Sequence, residues 1–377
     1  MKALKKIILG IAILIAVIFI ITAVTGNTYI YKALIYTYAD IDDYKLFYNR
    51  TVENGPPQPW PVSSTYNKIK PDPGLQRQLD STRAVAFLVL KNDSLQFEEY
   101  SDGYGPDTFS NSFSMAKSII SILIGIAKEE GKIISLDDPI GNYIHDFKDS
   151  SIAGITIRNL LMMTSGSSWD ENYSGLFSQT TKGYYGTDLY GQMVTLKPHE
   201  KPGKIFSYRS GDTELLSLVL KNATGKTVSE YASEKLWKPL GAEHPALWSL
   251  DHKDGCEKAY CCFNSNARDF ARIGDLYLHK GNWKGKQIVS QDYVVQSLSP
   301  VGLKDDEGKT TDYYGYQWWI MPERPGVFYC RGLNGQYIIV VPDKHLVIVR
   351  LGHLRAPPEG SCFKDVRLMI DWASQNF

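Results

Sequence analysis

The sequence predicts an α/β (α+β) protein in which helices flank an antiparallel sheet, preceded by one N-terminal transmembrane helix. Two strand-like runs, Ala84 to Leu90 and Ser94 to Tyr100, have Asn92-Asp93 between them and indicate a β-hairpin. A mainly helical and irregular stretch follows, and strand-like runs return only near the C-terminus. Because both ends of the domain supply strands, we expect one sheet around a helical insertion at about residues 115–300.

The first 26 residues have the pattern of a membrane anchor. Lys2, Lys5 and Lys6 precede an uncharged apolar run from Ile7 to Val24, just long enough to cross a bilayer. The run is apolar all round, which disfavours a buried core helix, and residues 22–26 fit an A-x-A-like cleavage site poorly. We therefore expect a single-pass protein of the cell membrane, held through residues 7–24, with the remainder on the exported side. Secretion after signal cleavage is the alternative.

Residues 27–74 have the composition of a tether. The segment starts with Tyr29, Tyr31, Tyr36 and Tyr38, and its part from Asn54 to Gly74 holds six prolines and two glycines. The aromatic start suits either the membrane interface or packing against the globular part. We expect the globular domain to span residues 75–377.

Apolar periodicity predicts the elements of this domain. A helix is expected from Ser114, with Gly131 as its stop. Further helices are expected at residues 157–163, 213–222, 228–237, 266–279 and 363–377. Strands are expected at residues 316–321, 326–330, 336–341 and 346–351.

Composition excludes several classes of function. Forty-one basic residues balance forty-one acidic ones, so the chain has no electrostatic footprint for nucleic acid. Five cysteines include the vicinal pair Cys261-Cys262, but they form no C-x-x-C pattern and have no His spacing typical of zinc sites. We expect no metal and no organic cofactor. If the domain is exported, the cysteines are able to form one or two disulfides, and the sequence does not indicate which of them pair.

Ser114-Met115-Ala116-Lys117 forms an S-x-x-K tetrad at the start of an apolar helix. Residues three apart on a helix share a face, so the Lys117 ammonium is able to approach the Ser114 hydroxyl. A serine hydroxyl is a weak nucleophile until a base takes its proton, and a lysine serves only when its pKa is lowered. The tetrad alone is also typical of a serine cap followed by an exposed lysine.

Further segments resemble the β-lactamase-related serine hydrolases, which include class C β-lactamases, penicillin-binding-protein-like enzymes, serine esterases of that fold and 6-aminohexanoate-dimer hydrolases. The resemblance covers roughly residues 80–375. After the S-x-x-K tetrad, the matching segments are Leu160–Gly166 (L-L-M-M-T-S-G), Pro202-Gly203 with Phe206–Ser210, Pro239–Gly241 and Ala267–Gly274. The resemblance implies the β-lactamase/transpeptidase-like fold, with the active cleft between the sheet and the helical part.

The resemblance also implies roles for individual residues. Ser114 is then the nucleophile, Lys117 its base partner, and Tyr208 relays the proton between nucleophile and leaving group. Ser210 is the second polar group of the same Y-x-S motif and a candidate substrate contact. In the cleft-lining loop Trp169–Tyr173, Tyr173 is a candidate substrate contact, although a plain surface loop has the same pattern. Asp170 and Glu171 are adjacent carboxylates, and neighbours on a loop rarely face each other as a glycosidase pair does.

The third motif is where the sequence departs from the family pattern. The family carries K-T-G or H-T-G beside the cleft, whereas this chain has Arg331-Gly332-Leu333 at the corresponding place. Arg331 then supplies the positive charge, and the Leu333 N–H joins that of Ser114 in an oxyanion hole. Loss of the Lys or His makes β-lactam hydrolysis a weaker expectation than ester or amide hydrolysis.

We expect a serine hydrolase that acts through an acyl-enzyme on a small ester, amide or peptide. A D-alanyl-D-alanine carboxypeptidase or a β-lactamase is the alternative within the class. A catalytically silent, membrane-tethered peptide-binding protein is the alternative from another class. No obligate protein partner is indicated.

Overall fold

The computed structural model describes residues 2–377. Its α-helices are α1 (Lys2–Val24), α2 (Tyr29–Tyr36), α3 (Pro73–Ser81), α4 (Met115–Glu129), α5 (Ile157–Leu161), α6 (Gln179–Tyr185), α7 (Leu189–Val194), α8 (Ser210–Thr224), α9 (Val228–Ala232), α10 (Ala267–Leu278), α11 (Gln291–Ser297) and α12 (Lys364–Asn376). Its strands are β1 (Asn49–Val52), β2 (Ala84–Lys91), β3 (Ser94–Tyr100), β4 (Ser110–Asn111), β5 (Ile205–Phe206), β6 (Ala246–Ser249), β7 (Phe263–Ser265), β8 (Asn282–Trp283), β9 (Lys286–Gln287), β10 (Lys304–Asp305), β11 (Trp319–Ile320), β12 (Phe328–Gly332), β13 (Gln336–Val341), β14 (Leu346–Gly352), β15 (Pro358–Glu359) and β16 (Cys362–Phe363).

The main sheet has six strands in the order β11-β12-β13-β14-β2-β3, and every neighbouring pair is antiparallel. The predicted hairpin forms β2 and β3, and the strands expected near the C-terminus join it through the pairing of β14 with β2. The predicted sheet, completed by both ends of the domain, is therefore confirmed.

Both faces of the sheet are covered, which explains why its central strands β2, β13 and β14 are apolar at nearly every position. Leu88 and Ile338 belong to the core on the side of α4 and α10. Val89 and Ile339, their neighbours along the strands, belong to the core on the side of α3 and α12. The alternation of side chains in a strand thus divides the interior into two layers.

The region between the sheet's two halves is mainly helical, with α4 packed against α8 at its centre. It also holds a small antiparallel sheet of order β1-β6-β7-β4, which the sequence analysis missed. These strands have two to four residues, too few for a detectable alternation. The strand expected at residues 316–321 is reduced to Trp319–Ile320, because Gln317 adopts a left-handed backbone conformation with φ of 62°.

The N-terminal 74 residues divide into an isolated helix and a packed segment. No residue of α1 is buried. Beyond it, α2 packs against α6, β1 pairs with β6, and the Trp60 indole N–H donates to the Arg268 carbonyl oxygen at 2.9 Å. Of the four tyrosines in the aromatic start, Tyr29 packs against the globular part, whereas Tyr38 is 85% exposed.

Gly274 allows α10 to lie directly on the main sheet, and its replacement is expected to destabilise the protein. A Cβ at this position would stand 2.6 Å from a methyl carbon of Val347 and 2.8 Å from one of Ile338. Overpacking of this kind costs about 1–3 kcal/mol, so Gly274→Ala should lower the midpoint of urea unfolding. Gly154→Ala is the matched control, because nothing lies within 4 Å of its added Cβ. Equal midpoints for the two variants would contradict this packing.

Candidate active site

Ser114 lies at the junction between the small sheet and α4. The preceding residues are fixed by the sheet, since the Ser112 N–H donates to the Phe263 carbonyl oxygen at 2.9 Å. Phe113 then turns the chain with a left-handed φ of 44°, and Ser114 is the N-cap of α4. A non-glycine residue in this conformation needs firm surroundings, and Phe113 is fully packed, being only 3% exposed. The turn presents the Ser114 hydroxyl to the cleft.

Lys117 lies one helical turn later, with its side chain 1% exposed. Its ammonium donates to Ser114 Oγ at 3.0 Å and to the Tyr260 carbonyl oxygen at 2.8 Å. Burial lowers the pKa of Lys117 to about 8, while the negative charges of Glu171 and Glu214 act in the opposite direction. Once deprotonated, the amine has a lone pair within hydrogen-bond distance of the Ser114 hydroxyl. This is the geometry that a general base requires.

Tyr208 lies on the other side of the same pair. The Ser114 side chain acts to lower the pKa of the Tyr208 hydroxyl, and the Lys117 nitrogen is 5.2 Å from the centre of the Tyr208 ring. Burial, aided by the charge of Glu171, raises the pKa of Tyr208 well above its usual value. The phenol therefore keeps its proton near neutral pH, and it is suited to pass a proton on rather than to serve as a phenolate.

The third motif reaches the site at the end of β12. A Cβ at Gly332 would stand 2.2 Å from the Ser112 carbonyl oxygen, so only glycine permits this approach of the strand to the serine turn. Leu333 lines the same cavity as Ser114. The Arg331 guanidinium stacks on Trp319, 3.2 Å from the ring centre, and its charge opposes the rise in the pKa of Tyr208. Arg331 therefore brings its positive charge close to Tyr208.

Glu171 is the central carboxylate of the site, a role that its place beside Asp170 in a loop of the sequence did not indicate. Its Oε2 accepts hydrogen bonds from the Ser210 N–H at 2.6 Å and from the Trp169 indole N–H at 2.8 Å. Its Oε1 accepts from the Ser210 hydroxyl at 2.6 Å and from the Tyr173 hydroxyl at 2.5 Å. Asp170 points elsewhere and accepts from a backbone N–H at 2.8 Å. Glu171 thus links Tyr173 to Ser210, the two residues we expected to contact substrate.

A second missed carboxylate supports the segment that holds Lys117. Glu214 on α8 is fully buried and accepts a hydrogen bond from the Ala259 N–H at 2.9 Å, one residue before Tyr260. Burial raises the pKa of Glu214 to about 8. Tyr260 is followed by a disulfide between Cys261 and Cys262. The disulfide whose partners the sequence did not indicate therefore joins two adjacent cysteines.

Four of the predicted site residues, Ser114, Tyr173, Ser210 and Leu333, line a cavity of about 620 Å³, whereas Lys117, Tyr208, Gly332 and Arg331 lie outside its lining. It is lined by Ala33, Leu34, Thr37, Tyr38, Ala39, Phe113, Ser114, Tyr173, Ser174, Gly175, Leu176, Thr180, Thr181, Tyr184, Tyr185, Ser210, Tyr260, Cys261, Leu333 and Asn334. Its volume falls within the range of about 300–1,000 Å³ typical of small-molecule sites. Asp93, Asp275 and His279 bring ligand atoms within 4.8 Å of one another, but none of them lines this cavity. The expectation of cofactor-free chemistry stays a prediction.

Comparisons with known proteins agree with this geometry. The Beta-lactamase family model matches residues 75–368. The chain is 29% identical over 297 residues to the 6-aminohexanoate-dimer hydrolase of Paenarthrobacter ureafaciens, covering 74% of this chain and 75% of the relative. Among solved structures, one from Bacillus anthracis, provisionally named a 6-aminohexanoate-dimer hydrolase, superposes with a TM-score of 0.74 at 25% identity, covering 89% of this chain and 92% of that one.

A family VIII carboxylesterase shares the fold, with a TM-score of 0.65 at 14% identity over 84% of this chain and 98% of that one. The family match covers most of the chain, including the serine turn, the helical region and the third motif. The chain belongs to the Beta-lactamase family and is a serine hydrolase.

Proposed function

We propose that the protein hydrolyses an ester or an amide through an acyl-enzyme on Ser114. The observation that carries this proposal is the contact of 3.0 Å between Lys117 Nζ and Ser114 Oγ, together with the lowered pKa of the buried lysine. With a pKa of about 8, roughly a tenth of Lys117 is neutral at pH 7. That fraction is large enough to supply a working base.

The reaction proceeds in two steps. Ser114 Oγ attacks the substrate carbonyl carbon, its proton passes to neutral Lys117, and the backbone N–H groups of Ser114 and Leu333 stabilise the oxyanion. Collapse of the tetrahedral intermediate expels the alcohol or amine, which takes a proton through Tyr208. Water then attacks the acyl carbonyl, giving its proton to the same two groups, Tyr208 and Lys117. The acid leaves, and Ser114 Oγ takes the proton back. The chemistry uses only groups of the protein and water.

An esterase or amidase is favoured over the alternatives by the third motif. D-alanyl-D-alanine carboxypeptidases and β-lactamases of the family pattern carry Lys or His in this motif, whereas this chain has neither between Cys330 and Gln336. Here Arg331 stacks on Trp319 at 3.2 Å rather than standing free in the cavity. The relative from Paenarthrobacter ureafaciens is named for an amide substrate, which supports an amide or ester here.

The test is covalent labelling of the full-length protein in detergent with a fluorophosphonate, read by intact mass, together with hydrolysis of p-nitrophenyl butyrate. We expect one adduct, mapped to Ser114, and measurable turnover. Ser114→Ala should show neither, and it is a mild control because it removes only one oxygen atom. If the wild type is neither labelled nor active, the catalytic proposal is wrong and the peptide-binding alternative stands.

The pH profile should follow the ionisation of Lys117. Because the neutral amine is the active form, kcat/KM should rise through pH 8 and level off above it. The charge of Glu171 raises the pKa of Lys117, so Glu171→Gln should move this rise to lower pH. Asp170→Asn is the control, since the neighbouring carboxylate points away and should leave the profile in place. A profile that is flat from pH 6 to 10 would exclude Lys117 as the base.

We further propose that α1 anchors the protein in the membrane with the hydrolase domain on the exported side. The helix has 23 residues, and its most apolar stretch of 18 residues has a mean hydropathy of 3.3 with none of it buried. Full-length protein in membranes should resist extraction by alkaline carbonate and be released by detergent. Release by carbonate alone would show that the helix does not span the bilayer.

A further inference from the structure

The segment that follows the apolar helix forms one wall of the cavity. Ala33 and Leu34 of α2 and Thr37, Tyr38 and Ala39 beyond it line the cavity that holds Ser114. The remaining walls come from α6, the loop at residues 173–176 and the third motif. The cavity is therefore built jointly by the hydrolase domain and by the stretch that leads to the membrane.

This wall is fixed to the domain rather than loosely attached. The Asn334 side chain donates to the Ala39 carbonyl oxygen at 3.0 Å, next to Leu333 of the third motif. Two residues later, the Asn111 N–H donates to the Ile41 carbonyl oxygen at 2.8 Å. The position of the wall is thus set by the same loops that position the serine and the proposed oxyanion hole.

The wall also lies close to the end of the apolar helix. Tyr31 of α2 stacks on Phe19 of α1 with ring centres 5.9 Å apart, and its hydroxyl lies 2.6 Å from that of Thr22. Helix α2 has 8 residues and is therefore only about 12 Å long. If α1 spans the bilayer, the cavity wall begins at the membrane surface.

Several large apolar side chains around the junction of α1 and α2 and the cavity wall are exposed to solvent. We call the set the collar; its members and their exposed fractions are Leu34 58%, Ile35 72%, Tyr38 85%, Tyr173 56% and Phe177 75%. Phe177 lines a second hollow together with Asn27 and Tyr29, which places it beside the junction of α1 and α2. Exposed apolar groups in such a cluster, continuous with a membrane helix, are suited to lie in the lipid interface.

None of the residues that line the cavity carries a charge: all twenty are apolar, aromatic or neutral polar. Glu171 lies behind two of them, where its carboxylate accepts hydrogen bonds from the hydroxyls of Tyr173 and Ser210. Away from that end of the cavity, a substrate that carries an ammonium or carboxylate would meet no charged lining side chain, and it would lose hydration on entry. A hydrocarbon chain, in contrast, gains by leaving water at about 0.8 kcal/mol for each methylene group.

We propose that the substrate is a membrane amphiphile: an ester or amide whose acyl group is an uncharged hydrocarbon chain. It enters the cavity from the membrane surface by crossing the collar. This inference rests on the proposed function. The collar then lies in the lipid headgroup region. The acyl chain of the substrate packs against the wall formed by residues 33–39, and its carbonyl carbon reaches Ser114.

The test uses full-length protein in phosphatidylcholine vesicles with p-nitrophenyl acetate and p-nitrophenyl dodecanoate. We expect kcat/KM for the dodecanoate to exceed that for the acetate by at least tenfold. Leu34→Asp, which places a charge in the cavity wall, should lower this ratio at least tenfold. The double variant Ile35→Ser, Phe177→Ser changes collar residues outside the cavity and should lower the ratio about threefold or more. Ile134→Ser, at a side chain 78% exposed that belongs to neither set, should leave the ratio unchanged.

The outcomes separate this inference from the proposed function. Turnover of both esters that depends on Ser114, with no preference for the longer chain, overturns the acyl-chain substrate alone. If the preference for the longer ester is kept in the collar variant but lost in Leu34→Asp, the acyl chain binds in the cavity but arrives from solution. That result overturns delivery from the membrane. Absence of both turnover and a Ser114 adduct overturns the proposed function itself.

Discussion

Replacing Lys117 with methionine is expected to lower kcat/KM for p-nitrophenyl butyrate by about a thousandfold or more. Methionine has a similar length and no charge, so the buried space stays filled while the base is lost. Ser114 then has no group at 3.0 Å to accept its proton. Removal of a group that acts together with the nucleophile typically costs nearly as much as removal of the nucleophile itself. Steady-state kinetics at pH 8, with the fold checked by circular dichroism, provide the measurement.

Lys258→Met is the matched control for this variant. Lys258 is also completely buried, and burial likewise lowers its pKa to about 8, but its ammonium donates to the Gly183 carbonyl oxygen at 2.9 Å and makes no bond to Ser114. Folded Lys258→Met should keep activity within about tenfold of the wild type. Equal losses in the two variants would mean that any buried ammonium matters, and the base role of Lys117 would have to be abandoned.

Tyr208→Phe is expected to lower kcat/KM about a hundredfold, the usual contribution of one proton-transferring group. The substitution removes only the hydroxyl, which is the group proposed to pass the proton. The ring remains packed against Tyr314 and Trp319, with centres 6.0 and 5.7 Å away, so the fold should be unaffected. Because a poor leaving group needs its proton most, the loss should be larger for an anilide than for a p-nitrophenyl ester.

Tyr337→Phe controls for the loss of a buried phenol. The Tyr337 hydroxyl is buried without a hydrogen-bond partner among the described residues, so its removal should cost neither activity nor stability. A similar loss in both tyrosine variants, or no dependence on the leaving group, would count against a proton relay through Tyr208.

The sequence was sufficient to predict the main sheet and the helix that carries Ser114, because those elements are long and strongly patterned. Strands β13 and β14 are continuous apolar runs, and α4 shows buried residues through its whole middle. The small sheet escaped prediction, since its strands depend on pairing between distant segments. Asn49 pairs with Ser249 across the whole helical region, and no local pattern reports such a contact.

The site was predictable to a lesser extent for a related reason. Ser114 and Lys117 are three residues apart on one helix, so their contact follows from helix geometry alone. Glu171 meets Ser210 only because a loop folds across the N-terminus of α8, and nothing in the segment Trp169–Tyr173 distinguishes Glu171 from Asp170. The contribution of Ala39 to the cavity was missed because residues 27–74 have the composition of a linker.

The wall formed by residues 33–39 brings the N-terminal segment into the cavity that holds Ser114. If α1 anchors the protein as proposed, a peptidase that cuts just after Gly26 would release a hydrolase whose cavity is complete. A cut beyond Tyr38 would release one that lacks most of this wall, with a wider and more hydrated entrance to Ser114. On the proposed function, the position of a single peptide-bond cleavage then decides whether the released enzyme keeps the selectivity of the anchored one.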